Sequence, residues 1–133
     1  MKVIKRIVLL VLIYIGVIAT FESLLGYFQP SGQSTLVITT TDEDGIKHDR
    51  VLARLESSGQ LFVAVNHWPR AWYGRALGNP GVQVALDGVT GAYTAVRATA
   101  EEHDRVNSEH SLGLIFQVLT GFPPRYFLRL DPD

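Results

Sequence analysis

Between Ile7 and Phe21 the chain reads IVLLVLIYIGVIATF, a stretch with neither charge nor proline. Glu22 follows, and then Ser23-Leu24-Leu25-Gly26-Tyr27-Phe28. A helix over residues 7–28 would be about 33 Å long at 1.5 Å per residue, against a hydrocarbon core of roughly 30 Å. Because it is apolar all round, it does not read as a one-faced surface helix. A polar domain of about 100 residues has little means of enclosing it on every side. Residues 1–30 are therefore expected to form an N-terminal membrane anchor, seated in lipid through residues 7–28, with Tyr27 and Phe28 at the interface. A cleaved signal peptide and a buried core helix are the competing readings, and no clear small-x-small cleavage site follows the stretch. Lys2, Lys5 and Arg6 precede it, so a net charge of −1 on 133 residues leaves −4 on the remainder. The basic flank favours an N-terminus inside and a domain outside, while the side occupied by the domain stays open.

The remainder, residues 31–133, is long enough for one small domain and too short for a two-domain cofactor enzyme. Its segments read as short strands separated by turns. Thr35 to Thr40 is β-branched, and Asp42-Glu43-Asp44-Gly45 is a tight turn. His48 to Glu56 alternates as one strand, placing Arg50, Leu52 and Arg54 on one face. Leu61 to Val65 is an unbroken apolar run, expected to be buried on both faces. Val82, Val84 and Leu86 alternate toward Asp87-Gly88, a hairpin signal, and a strand through Tyr93 and Val96 follows. Tyr126 to Leu130 is the last strand. Pro69 to Leu77 is predicted to be a short helix, stopped by Gly78 and Asn79-Pro80. Thr99-Ala-Glu-Glu102 fits a capping box that opens a second helix, broken near Gly113 and continuing to Leu119. Its Leu114, Ile115, Val118 and Leu119 make an apolar face. The order β-β-β-α-β-β-α-β implies an α+β, mainly β fold, either a small barrel or a strongly rolled sheet.

Much chemistry is excluded. With no cysteine there is no disulfide, thiolate metal site or cysteine nucleophile. The near-neutral charge gives no pull toward nucleic acid. His48, His67, His103 and His110 lack metal-ligand spacing, and no serine shows a His/Asp pairing. One stretch stands apart: Asn66 to Pro80 carries two tryptophans, a tyrosine and two arginines around a helix start, just after the most apolar strand. Free helical N–H groups beside arginines can receive an anion, and aromatic faces can receive a flat ring. Arg50 and Arg54 would extend the positive surface. The plainer reading makes Trp72 and Ala76 core residues and pairs the arginines with Asp49 and Glu56.

Over residues 35–132 the sequence resembles the deazaflavin-dependent nitroreductase and quinone reductase family. The matching residues are Gly45, Lys47 and Arg50; Leu61 to Val65; Trp72-Tyr73; Asn79-Pro80-Gly81-Val82-Gln83-Val84; and Arg125 through Leu130 and Pro132. The resemblance implies a split β-barrel of the flavin-reductase and pyridoxamine-phosphate-oxidase type, often dimeric, which binds coenzyme F420. It implies hydride transfer to a quinone, a nitro-compound or a similar small-molecule acceptor. Lys47, Arg50 and Arg54 would then hold phosphate or carboxylates, and Asn66, His67, Trp72 and Tyr73 would frame the ring. In that family an N-terminal segment is linked to membrane association. Two departures stand against the pattern. The usual basic-Ser-Gly loop is here Ile46-Lys47-His48-Asp49, and the glycine-rich turn is replaced by Asn66-His67-Trp68. They motivate the alternatives: an anchored barrel without catalysis that binds a partner, or a flavin (FMN) or haem binder on the same fold.

Overall fold

The computed structural model describes residues 1–27, 35–65 and 71–133. Helix α1 (Lys2–Tyr27) leads into strands β1 (Thr35–Thr41), β2 (Lys47–Ala53), β3 (Leu55–Ser57) and β4 (Gln60–Val65). Helix α2 (Ala71–Gly78) precedes β5 (Gly81–Leu86) and β6 (Val89–Arg97). Helices α3 (Ala100–Glu109) and α4 (Leu114–Thr120) precede β7 (Tyr126–Pro132). The strands form a single antiparallel sheet in the order β2-β1-β5-β6-β7-β4-β3. The sheet curls until β2, at one end of that order, touches β4 near the other, which makes a half-barrel.

Turn chemistry places the hairpins. Asp42 closes the β1–β2 turn by accepting from the Asp44 and Ile46 amides through Oδ1, both at 2.9 Å. Asp87 and Gly88 turn β5 into β6 with φ of 50° and 81°, the two positive values that a two-residue hairpin matching strand twist requires. Thr99 caps α3 in the predicted capping box, with Glu102 at the third position.

The concave side of the sheet holds the main core. Leu36, Ile38, Val63, Val84, Leu128 and Leu130 meet Trp72 and Ala76 of α2 there. The other side of β4 packs Phe62 with Phe127 and Val106 of α3. β4 is thus covered on both faces, as its unbroken apolar run requires. α2 and α3 close opposite faces, α2 through the apolar stripe Trp72, Tyr73 and Ala76, α3 through Val106 and the buried Glu102.

Two expectations from the residue pattern meet a different arrangement. The strand read as continuous over 48–56 breaks at Arg54, between β2 and β3. The apolar residues of α4 do not enter the core: Leu114, Ile115 and Val118 are exposed. α4 lies instead against α1, with Phe21 and Phe116 edge to face at 5.8 Å and the Tyr14 hydroxyl donating to the Val118 carbonyl at 2.8 Å. α1 is long and apolar enough to cross a bilayer by length and composition, a test that signal sequences and buried core helices also pass. Its residues from Val3 to Val17 are largely exposed.

Gly121 ends α4 at φ 75°, and a Cβ there would meet Ile18 Cδ1 at 2.7 Å. Gly121→Ala is expected to cost about 1–2 kcal/mol through left-handed strain and to loosen α4 from α1. Amide exchange in α4 should accelerate while that of β4 and β7 stays unchanged.

Candidate functional site

The β1–β2 hairpin and the start of α2 enclose an open groove of about 520 Å³, lined by Lys47, His48, Asp49, Arg50, Ala71, Trp72 and Arg75. Strand alternation builds it. His48, Arg50 and Leu52 share the inner face of β2, opposite Thr40, Ile38 and Leu36 of β1. Leu52 is buried and Arg50 half-buried, so the guanidinium leaves the core where the apolar layer ends. Lys47 and Asp49 lie on the outer face of the same strand.

Helix α2 supplies the facing wall. Trp72, Tyr73 and Ala76 are buried on its inner side. Trp72 is 2 % exposed, and its indole Nε1 is buried without a hydrogen-bond partner among the described residues. A buried donor left unpaired is costly, of order 1–3 kcal/mol, and this one belongs to a residue that lines the groove. Arg75 follows Trp72 by three residues and stands beside it on the helix surface. Its Nε donates to the Thr40 hydroxyl at 3.0 Å, which satisfies a fully buried threonine and fixes the arginine in place.

The electrostatics favour an anion. Arg50 and Arg75 bring two cations to the groove, with Lys47 and one carboxylate, Asp49, at its outer edge. That carboxylate accepts from the Thr39 hydroxyl at 2.6 Å across the β1–β2 pair. His48 is oriented by Asp42, with Nε2 2.8 Å from Oδ2. The His48 contact, with the Ile46 and Asp44 amides, holds the Asp42 carboxyl below its usual range.

Of the residues singled out by sequence, Lys47, Arg50 and Trp72 come together here. Tyr73 turns inward, 8 % exposed, edge to face with Trp72 at 6.0 Å and stacked on Tyr126 at 5.6 Å. Arg54 stands in a different groove, lined also by Glu56, Gln60, Tyr93 and Asp131. There it donates to Asp87 at 3.0 Å and to Glu56 at 2.7 Å, contacts that hold its guanidinium charged more firmly than usual. Asn66 and His67, with Trp68, lie outside the described residues. Arg75, one of the two arginines that the sequence sets around the helix start as anion receivers, joins the site although it was not among the residues named for the cofactor. Its three-residue spacing from Trp72 was the available signal. Among the described residues no group of three His, Asp or Glu side chains could hold a metal.

No family model and no curated protein matches the chain. Solved structures do share its architecture. An F420-H2 dependent reductase is 19% identical at TM-score 0.60, over 78% of this chain and 99% of the other. HutZ, the haem storage protein of Vibrio cholerae, is 18% identical at TM-score 0.54, over 76% and 82%. A putative pyridoxamine 5'-phosphate oxidase from Listeria innocua is 12% identical at TM-score 0.52, over 86% and 92%. At such identities the likeness establishes the fold. The part of this chain that follows α1 is an antiparallel split β-barrel, an architecture also found in an F420-H2 dependent reductase, a haem storage protein and a putative pyridoxamine 5'-phosphate oxidase.

Proposed function

We propose that the chain is a membrane-anchored, F420-dependent reductase that passes hydride to a quinone, a nitro-compound or a similar acceptor. The observation that carries this reading is the convergence of Lys47, Arg50 and Arg75 on one groove with the buried indole N–H of Trp72. F420, when bound, supplies the hydride chemistry, so the protein requires neither a nucleophile nor a metal. Arg50, half-buried and adjacent to the apolar layer, makes the strongest charge-assisted contact to an anionic tail. Lys47 adds a more exposed charge at the rim. Arg75, already bonded to Thr40 through Nε, keeps its Nη groups for the tail. Trp72, a core residue, backs the groove behind these cations. The family resemblance assigns the ring to Asn66 and His67, which follow β4 in sequence, while Tyr73 is given over to the core. Residues 7–28 place this machinery next to lipid, where a hydrophobic acceptor dissolves. A homodimer, which the family resemblance implies, belongs to the same reading.

Titration of the full chain in nanodiscs with reduced F420, followed by cofactor fluorescence and run beside an FMN control, tests the proposal. Saturable binding in the micromolar range with weaker FMN binding is expected. No fluorescence change up to millimolar F420 contradicts it.

A further inference from the structure

We infer that α4 is a second membrane-embedded element, its Leu114, Ile115 and Val118 immersed in lipid hydrocarbon beside α1. The inference rests on the reading of α1 as an anchor. It arises from the level at which the two helices meet. α4 contacts α1 at Tyr14, Ile18 and Phe21, positions spaced four and three apart on one helix face. Counting 1.5 Å per residue from Ile7, those contacts lie about 10–21 Å along the helix. A hydrocarbon core is roughly 30 Å thick. The free stretch before Tyr14, Lys2–Ile13, measures only about 18 Å. If α1 crosses, α4 crosses part of the way with it.

The chemistry of α4 suits that position. Its seven residues, LIFQVLT, carry no charge. Leu114 and Ile115 are 68% and 78% exposed, and Phe122 in the turn beyond extends the apolar surface at 56%. The polar side chains of both helices are turned onto nearby backbone carbonyls. Thr20 and Ser23 donate to Gly16 and Ala19, Gln117 to Leu112 and Thr120 to Phe116. Tyr14 donates across to α4. Pairing of these side-chain donors within the protein suits an environment without water. The one charged side chain of α1 beyond Arg6, Glu22, is covered by protein at 7 % exposure and does not face outward. The lipid-facing surface of α1 thus continues without interruption onto α4.

The chain contains no cysteine, so single substitutions can carry an environment-sensitive fluorophore. The full chain is reconstituted in phosphatidylcholine–phosphatidylglycerol vesicles with or without nitroxide-labelled acyl chains. Labels are placed at Leu9→Cys on α1, Ile115→Cys on α4 and Val89→Cys on the exposed start of β6. The inference expects blue-shifted emission and nitroxide quenching at 9 and 115, and neither at 89. Quenching at 9 without quenching at 115 overturns the inference and leaves the anchor in place. A blue shift at 115 without quenching assigns α4 to a second protein copy and also overturns it. Absence of quenching at both 9 and 115 removes the anchor reading itself, and the inference with it.

Discussion

Glu102→Ala is expected to lower the stability of the barrel by about 2–4 kcal/mol, or a fall in Tm of ~10–20 °C for a domain of this size. Glu102 is 8 % exposed and serves two structures at once. Its carboxylate accepts from the Thr99 amide at 3.0 Å, completing the α3 capping box. The same carboxylate accepts from Arg129 Nη1 through both oxygens, at 3.0 and 2.8 Å, which ties α3 to β7. The Thr99 amide and then Arg129 hold its pKa below the ordinary glutamate value. A depressed carboxylate stabilises the fold fully above the unfolded-state pKa, near 4.3, and the stabilisation is lost as pH falls through the folded value. Wild type should therefore lose stability below about pH 4 more steeply than Glu102→Ala. Arg129 keeps Asp131 as a partner at 2.8 and 3.0 Å, so the barrel should be destabilised and not abolished. Glu102→Gln should recover part of the loss through the cap alone. Thermal melts of the three proteins between pH 3 and 7 measure this, and a change under 0.5 kcal/mol for Glu102→Ala would reject the account.

Arg50→Ala should weaken binding of reduced F420 by ~10–100-fold, the equivalent of about 1.5–3 kcal/mol for a charge-assisted hydrogen bond in a partly desolvated setting. The neighbouring cations should rank by exposure. Lys47→Ala, at the solvent edge, should cost only about 2–5-fold. Arg54→Ala provides the geometric control. Its guanidinium is engaged by Glu56 and Asp87 in a separate groove, so affinity should be unchanged. Equal losses at Arg50 and Arg54 would place the ligand somewhere other than beside Trp72. Binding should also weaken with added salt, less at the half-buried Arg50 than at Lys47.

The Arg54 result shows where local pattern stopped being informative. Alternation places Arg50 and Arg54 on one face only while the strand is unbroken. The break between Ala53 and Leu55 releases Arg54 toward Asp87, a residue 33 positions away in the β5–β6 turn. Features carried by neighbours in sequence were legible: the Asp42 turn, the Asp87-Gly88 hairpin, the Thr99–Glu102 box and the doubly buried β4. Pairings between distant segments were not. Nothing near Tyr126–Pro132 announces that β7 lies between β6 and β4, or that Arg129 closes on Glu102. The apolar stripe of α4 was visible, but periodicity states only that a face is apolar and leaves open what covers it. Trp72 answers to both readings of its stretch, since it is a core residue at helical spacing and also lines the groove. Residues 66–68, where the family resemblance departs most, lie outside the described structure.

The most direct test of the proposed site is an experimental structure of the full chain with F420 bound. The account predicts the phosphate-bearing tail between Lys47, Arg50 and Arg75, within hydrogen-bond reach of the Arg50 guanidinium, and the ring toward the segment that follows Val65. A tail held in the Arg54–Gln60 groove, or a cation groove left without ligand while F420 binds elsewhere, would contradict it.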